Sequence, residues 1–278
     1  MISNFRRPAA ALLLGLGAGC WGASAAADTV QMSYSVKLVG LALGTAGLQA
    51  TIEPSTYQVE VNAKLSGMAS AVSKSEGAAQ ASGGIAQGRV LPNAYATTSS
   101  NSRETRTVRM ALNAGVVRAV EITPPFEEPP AAGRVPVTDA HKRGVVDPLS
   151  ALVMPATHTG PIIAPAACER TLPVYDGYTR FDVELSYVGQ REVKARGYSG
   201  PVVVCAARYK PVAGHRPDRR STKFMTDNKN MQVWLMPVEG VRALAPYRIS
   251  VGTMVGEVVI EATNVQVAET TRSQRVQR

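Results

Sequence analysis

Chemistry in this 278-residue sequence would have to come from few residues: three cysteines, three histidines and a handful of carboxylates near hydroxyls. His141, His158 and His215 lie far apart, without a carboxylate or thiol at ligand spacing, so neither a metal nor a cofactor is expected. No His-Glu-x-x-His, phosphate-loop or paired Cys-x-x-Cys pattern occurs. The run Gly197 to Pro201 has its second glycine one residue early for a nucleophile elbow, and a tight hairpin explains it better. Asp147, Ser150 and a histidine make a hydrolase triad on paper; capping and packing of a helix explain the first two without catalysis. Asp176, followed by Gly177, reads first as a turn residue and second as a ligand contact.

One charged stretch stands out. Arg208, Lys210, Arg216, Arg219, Arg220 and Lys223, with His215 among them, face Asp218 alone. Arginines can hold phosphate or carboxylate with two parallel hydrogen bonds, so Arg208, Lys210, His215, Arg216, Arg219 and Arg220 form a candidate anion site on a loop that contains Pro and Gly. The plainer alternative is a solvated loop. The whole chain carries 30 basic against 21 acidic residues, a net charge of +9, which suits anionic partners such as phospholipid headgroups or lipopolysaccharide. Basic residues are not interleaved with aromatics, so nucleic acid is not expected.

The elements that position these residues begin behind a leader. Arg6 and Arg7 precede an apolar run from Ala9 to Ala18, and Ala25 to Ala27 offer the small residues of a cleavage site. This predicts a signal peptide over 1–27, cut after Ala27, and a periplasmic mature chain. The run is too short to span a bilayer, and no later stretch qualifies. Cys20 sits one residue out of register for lipid attachment, and the twin arginines lack the rest of a folded-export motif. With Cys20 removed, Cys168 and Cys205 remain in an oxidising compartment, the arithmetic for one disulfide clamping two strands; two independent buried thiols are the other reading.

Beyond the leader, 45% apolar and 5% aromatic residues with abundant Val, Ala, Gly and Thr suit strands. Val30, Met32, Tyr34, Val36 and Leu38 alternate with polar neighbours; Leu48, Ala50 and Ile52, then Tyr57, Val59 and Val61, do the same, as in an antiparallel meander. Glycines 40, 44 and 47 break the first run. A short helix at Met68 to Ser73, a turn at Pro92, a hairpin around Asn113 to Gly115 and a turn at Gly189 are expected. The proline cluster from Pro124 to Pro136 is a long loop in preference to a domain linker. Asp147 to Met154 is expected as a helix, capped by Asp147, with Leu149, Leu152 and Val153 on one face, covering a curved sheet. One β-rich domain over 28–268 and a disordered basic tail over 269–278 complete the organisation.

Several of these residues also carry a likeness. Asp147 to Leu152, Val174 to Arg180, Val204-Cys205 with the Pro211 to Arg216 loop, and Val233-Trp234-Leu235 leading to Pro246 to Ile249 resemble the bacterial envelope family known as domain of unknown function 3108. The resemblance implies a secreted all-β domain, a strongly curved antiparallel sheet forming an open barrel or β-spiral around one or two short helices, and no established activity. The expected function is non-enzymatic support of the cell envelope, by binding a lipid-like or anionic envelope component in the curved sheet, or another envelope protein. A secreted hydrolase using Ser150, Asp147 and a histidine is the alternative. A carrier needs an apolar cavity, and an enzyme needs a histidine in reach of an activated hydroxyl.

Overall fold

The structure is a computed structural model describing residues 27–66, 75–126, 133–157, 159–238 and 240–270. The helix expected at Met68 to Ser73 and His158 lie outside these residues, as do the expected leader up to Ala26, with Cys20, and the expected tail beyond Thr270. Ala27 instead opens the first strand and pairs with Thr270, so Glu269 and Thr270 belong to the last strand and not to a disordered tail. Fourteen strands form one antiparallel sheet. The first seven are a meander: β1 (Ala27–Leu38), β2 (Leu41–Ile52), β3 (Thr56–Leu65), β4 (Glu76–Ala86), β5 (Arg89–Ser100), β6 (Thr105–Asn113) and β7 (Val116–Thr123). Between β7 and β8, residues 124–126 and 133–153 hold two 3-10 turns and no strand, and residues 127–132 of the expected proline loop lie outside the described residues. Then come β8 (Met154–Pro155), β9 (Arg170–Tyr175), β10 (Arg180–Ala195), β11 (Tyr198–Ala213), β12 (Met231–Val238), β13 (Ala243–Thr253) and β14 (Gly256–Thr270). The sheet order is β7-β6-β5-β4-β3-β2-β1-β14-β13-β12-β11-β10-β9, with β8 against β13. Thus β1 and β14 pair in the middle, and β7 and β9 are the ends of a strongly curved sheet that does not close. The turn after β9 comes back onto the other end: a Cβ on Gly177 would lie 2.7 Å from Val108, which only glycine at φ +96° avoids.

Alternation decides what each strand buries. Val30, Met32 and Tyr34 on β1 and Tyr57 and Val59 on β3 point inward, while Gln31, Gln58 and Glu60 face water. Strands β11 to β13 are different, because consecutive residues are buried: Val202 to Cys205, Leu235 and Met236, Ala243 to Ala245. They form a wall with no wet face at these positions. One face, with Val202, Met236 and Tyr247, packs into the concavity of β1–β5. The opposite face, with Val203, Cys205, Val233, Leu235 and Leu244, carries a second core with Met154, Ala167 and Cys168.

Four expectations about local structure change. Pro92 lies inside β5; the turn is at Gln87–Gly88, and Pro92 sits where Asn93 bulges and where pairing to β6 has not begun, so its missing N–H breaks no ladder. Gly189 marks a bulge within β10, with Val188 unpaired opposite Val204 and Cys205; the hairpin turn comes at Arg196–Gly197. Gly44 and Gly47 lie within β2, and a Cβ on Gly44 would collide with the Lys64 carbonyl. The expected helix from Asp147 is a single 3-10 turn, Ser150–Leu152. Its apolar residues face two cores at once, Leu149 and Val153 one way and Ala151 the other, which a longer α-helix with one apolar stripe would not allow.

Candidate functional site

The stretch from Val145 to Pro155 straps the sheet and organises both faces around it. Val145 N–H bonds Gly115 O, Val146 bridges Val174 on β9, and Met154 and Pro155 pair with β13. Asp147 ties the strap's bend: Oδ1 accepts from the N–H groups of Leu149 and Ser150, and Oδ2 accepts from Ser150 Oγ at 2.5 Å. Ser150 Oγ in turn lies 2.6 Å from Tyr57 OH on β3. With Ser150 donating to the carboxylate, the tyrosine is the donor of that second bond. Burial pushes the Asp147 carboxyl above its ordinary range, against the opposing hydrogen bonds from Ser150 and the backbone. Burial likewise raises the Tyr57 hydroxyl.

Asp147 and Ser150 are the two residues that the hydrolase alternative requires beside a histidine. Both residues are wholly buried, and none of the described histidines bonds to Ser150. His141 caps a separate 3-10 turn through Thr138. The third member of the group, Tyr57, carries no signal in the sequence beyond its place in an alternating strand.

On the second face of the wall, the strap leaves a space. A cavity of about 290 Å³ opens between β9–β13, the strap and the helix α1 (Arg220–Asp227), which follows β11. Leu172, Phe181, Val183, Met225, Val233 and Ile249 are among its walls, and among the described residues Gln232, Ser250 and Tyr209 supply its only polar side chains. Phe181 and Tyr209 stack across β10 and β11 with ring centroids 5.1 Å apart. A larger depression, about 420 Å³, lies over β3–β6, but Gln58, Gln80, Ser82 and Arg109 line it on the wet side of the sheet. Apolar walls continuous with a core single out the smaller cavity as the place to bind an apolar group.

A cation stands beside it. Arg170 shares the face of β9 that carries Leu172 and Val174, and lies opposite cavity-lining Leu185 on β10. Its Nη1 donates to Pro155 O at 3.3 Å, while Nε and Nη2 are buried without a hydrogen-bond partner. Burial lowers its pKa.

The thiols meet as well. Cys168 and Cys205 form a disulfide with Cα atoms 5.4 Å apart. The clamp joins a 3-10 turn (Pro165–Ala167) to β11 and does not join two strands, since Cys168 precedes β9 and passes over β10. It therefore pins the covering loop onto the second face.

The basic stretch is not a loop throughout. Arg208 and Lys210 lie on β11, and Arg219 and Arg220 begin α1. Arg208 donates to Asn228 O just past α1, and Lys210 pairs with Glu184 on β10. The His215 carbonyl accepts from Val135 N–H while Gly214 N–H donates to Val135 O, and the His215 side chain is shifted towards the neutral form by burial. Arg216 is half-buried, and Arg219 and Arg220 are exposed. Arg208 thus fixes the helix that closes the cavity. Asp176 takes the turn role: its carboxylate accepts from the N–H groups of Tyr178 and Thr179 and from the Thr179 hydroxyl.

A curved, unclosed all-β sheet carrying an apolar cavity beneath a disulfide-pinned cover defines the class of protein. The chain belongs to the family described as protein of unknown function (DUF3108), whose model matches residues 31–263. No curated protein matches the chain. A solved structure with which it aligns is a β-barrel-like protein of domain of unknown function DUF1849 from Brucella abortus, at 10% identity and a TM-score of 0.47, covering 89% of this chain and 99% of that one.

Proposed function

We propose that this is a non-enzymatic periplasmic protein that binds an amphiphilic envelope component, with an acyl or similar apolar chain in the cavity and an acidic head beside Arg170. The observation that carries this reading is the cavity, apolar-walled and near the lower end of the roughly 300–1,000 Å³ usual for ligand sites. The cavity lies on the second face of the wall and not in the concavity of the curved sheet, because that concavity is occupied by the core of β1–β5 and the wall. The unpartnered nitrogens of Arg170 favour a carboxylate or phosphate head, which would complete their hydrogen bonds. A disulfide suits an oxidising compartment.

Native mass spectrometry of protein purified from its own cells tests it. The expected result is a retained mass that organic solvent removes. Arg170→Met should weaken binding of a fluorescent fatty acid while an uncharged acyl probe still binds. A chain free of retained mass that also fails to bind either probe would refute the proposal. The hydrolase alternative makes the opposite demand, covalent labelling of Ser150 by a fluorophosphonate, and a buried Ser150 bonded to Asp147 and Tyr57 should stay unlabelled.

A further inference from the structure

Two hairpin tips stand side by side at one end of the sheet. Leu38 on β1 is paired with Val258 on β14, so the turn at Val39–Gly40 adjoins the turn at Met254–Val255. Val39 N–H donates to Glu257 O at 2.9 Å, and the Val39 side chain lies over Gly256, where any Cβ would collide with it. The tips carry four large apolar side chains in water: Val39 is 64% exposed, Leu41 70%, Met254 58% and Val255 74%. Only three other large hydrophobics among the described residues are comparably exposed, so the four are a concentration and not the usual scatter.

The turn does not explain its own valine. Val39–Gly40, Gln87–Gly88 and Ala114–Gly115 are three turns with positive φ at both positions. Such turns favour Asn, Asp or Gly first, and a β-branched residue at φ +50° is the least comfortable choice. The side chain that projects there serves something other than the turn.

The chemistry of the tips favours lipid over a protein strand. A partner adding a strand reads free backbone groups. Here Val39 N–H goes to Glu257, Val255 N–H to Thr253 Oγ1, and Thr253 Oγ1 donates to Gly256 O at 2.6 Å, all within the pair of tips. Hydrocarbon tolerates polypeptide only where its polar groups are bonded internally. Lys37 lies two residues behind one tip, and Lys229 is held near the other by the bond from Gly252 N–H to Asn230 O; Glu257 is the acidic residue between them. The chain's +9 charge adds a long-range attraction to anionic headgroups.

We propose that the two tips dock the protein on an anionic lipid bilayer, inserting Val39, Leu41, Met254 and Val255 into the boundary between headgroups and acyl chains. Val251, three residues before Met254 on β13, lines the cavity, so docking would bring that end of the cavity to the bilayer. The docking rests on the tips alone and holds whether or not the cavity takes a lipid.

Flotation with vesicles of phosphatidylglycerol and phosphatidylethanolamine tests it, comparing the full chain with the Val39→Asn, Leu41→Ser, Met254→Ser, Val255→Asn variant. The partition coefficient should fall by at least about tenfold. Two single variants report depth independently of that comparison. Tryptophan in Leu41→Trp should be quenched by brominated acyl chains, and in Gln87→Trp, on a similar turn at the opposite end of the sheet, it should not. Val39→Asn suits its turn, so its thermal midpoint should be no lower than that of the parent. The proposal is overturned if the parent does not float, if the quadruple variant floats as well as the parent, if 1 M salt alone abolishes flotation, or if both tryptophans are quenched alike.

Discussion

The two faces of the wall β11–β13 belong to the same strands, yet they are covered by different kinds of structure. One face meets β1–β5, whose inward residues recur every second position and pack in rows, with Val30, Val59 and Met236 fully or almost fully buried. The other meets a strap, a loop carrying a 3-10 turn, and one short helix. Irregular backbone must spend its side chains on fixing its own bends, as Asp147 and Ser150 do, and cannot supply a regular row to fill every gap. A cavity is the physical result of that difference, and the disulfide is what holds the cover over it.

Reduction of Cys168–Cys205 should cost the most, about 4 kcal/mol in the chain-entropy model for a loop of this length. Urea unfolding with and without reductant measures it. Hydrogen exchange should show protection lost first in β9 and the covering loop, with β1–β5 last. Uniform loss would erase the distinction between the two faces.

Next in size is a matched pair of insertions. Ala50→Leu, in the concave core, should destabilise by roughly 1–3 kcal/mol through overpacking. Ala207→Leu, which lines the cavity, should change stability by less than about 0.5 kcal/mol and weaken acyl-probe binding. Equal costs for the two would mean that the second face is as tightly filled as the first.

Ser150→Ala leaves Tyr57 OH and Asp147 Oδ2 without their partner in the interior and should cost about 1–2 kcal/mol. Denaturant midpoints of the single and the Tyr57→Phe, Ser150→Ala double variant would separate the two bonds. The smallest effect is on pH. Because burial raises the Asp147 pKa in the folded state, the unfolded chain releases this proton at lower pH than the folded one. Stability from this group is full below the unfolded pKa near 3.8 and is lost as pH rises from there through the folded pKa. Asp147→Asn should remove that downward slope from a thermal-midpoint series.

How much of this the sequence carries depends on whether a feature is local. The alternation of Val30, Met32 and Tyr34 reads directly as a strand with one buried face, and β1 bears it out. Two cysteines left after an expected leader give the pairing, though not that Cys168 sits outside a strand. Pro92 and Gly189 read as turns because both residue types also mark bulges, and only the register distinguishes the two. Asp147 to Leu152 has the spacing of a helix but spans too few residues to show whether that spacing continues; the structure ends it after one 3-10 turn. The helix Arg220–Asp227 is hidden in a charged stretch with low apolar content. The cavity is least legible, since its walls come from five strands, the strap and α1. A trace of it exists in Val202 to Cys205, where an unbroken apolar run points to burial on both sides.

The pairing of β1 with β14, Val30 opposite Val267 and Leu38 opposite Val258, has a consequence for assembly. Every other long pairing in the sheet joins strands close in sequence, but this one sits at the centre and joins residues more than two hundred positions apart. Two sequential meanders can each form early, and the seam between them closes last, as expected when long loops must be closed. Until β14 arrives, one side of β1 is an open template for any other strand. A chain truncated before Gly256 should therefore accumulate as intermolecular β-aggregate instead of as a smaller soluble domain.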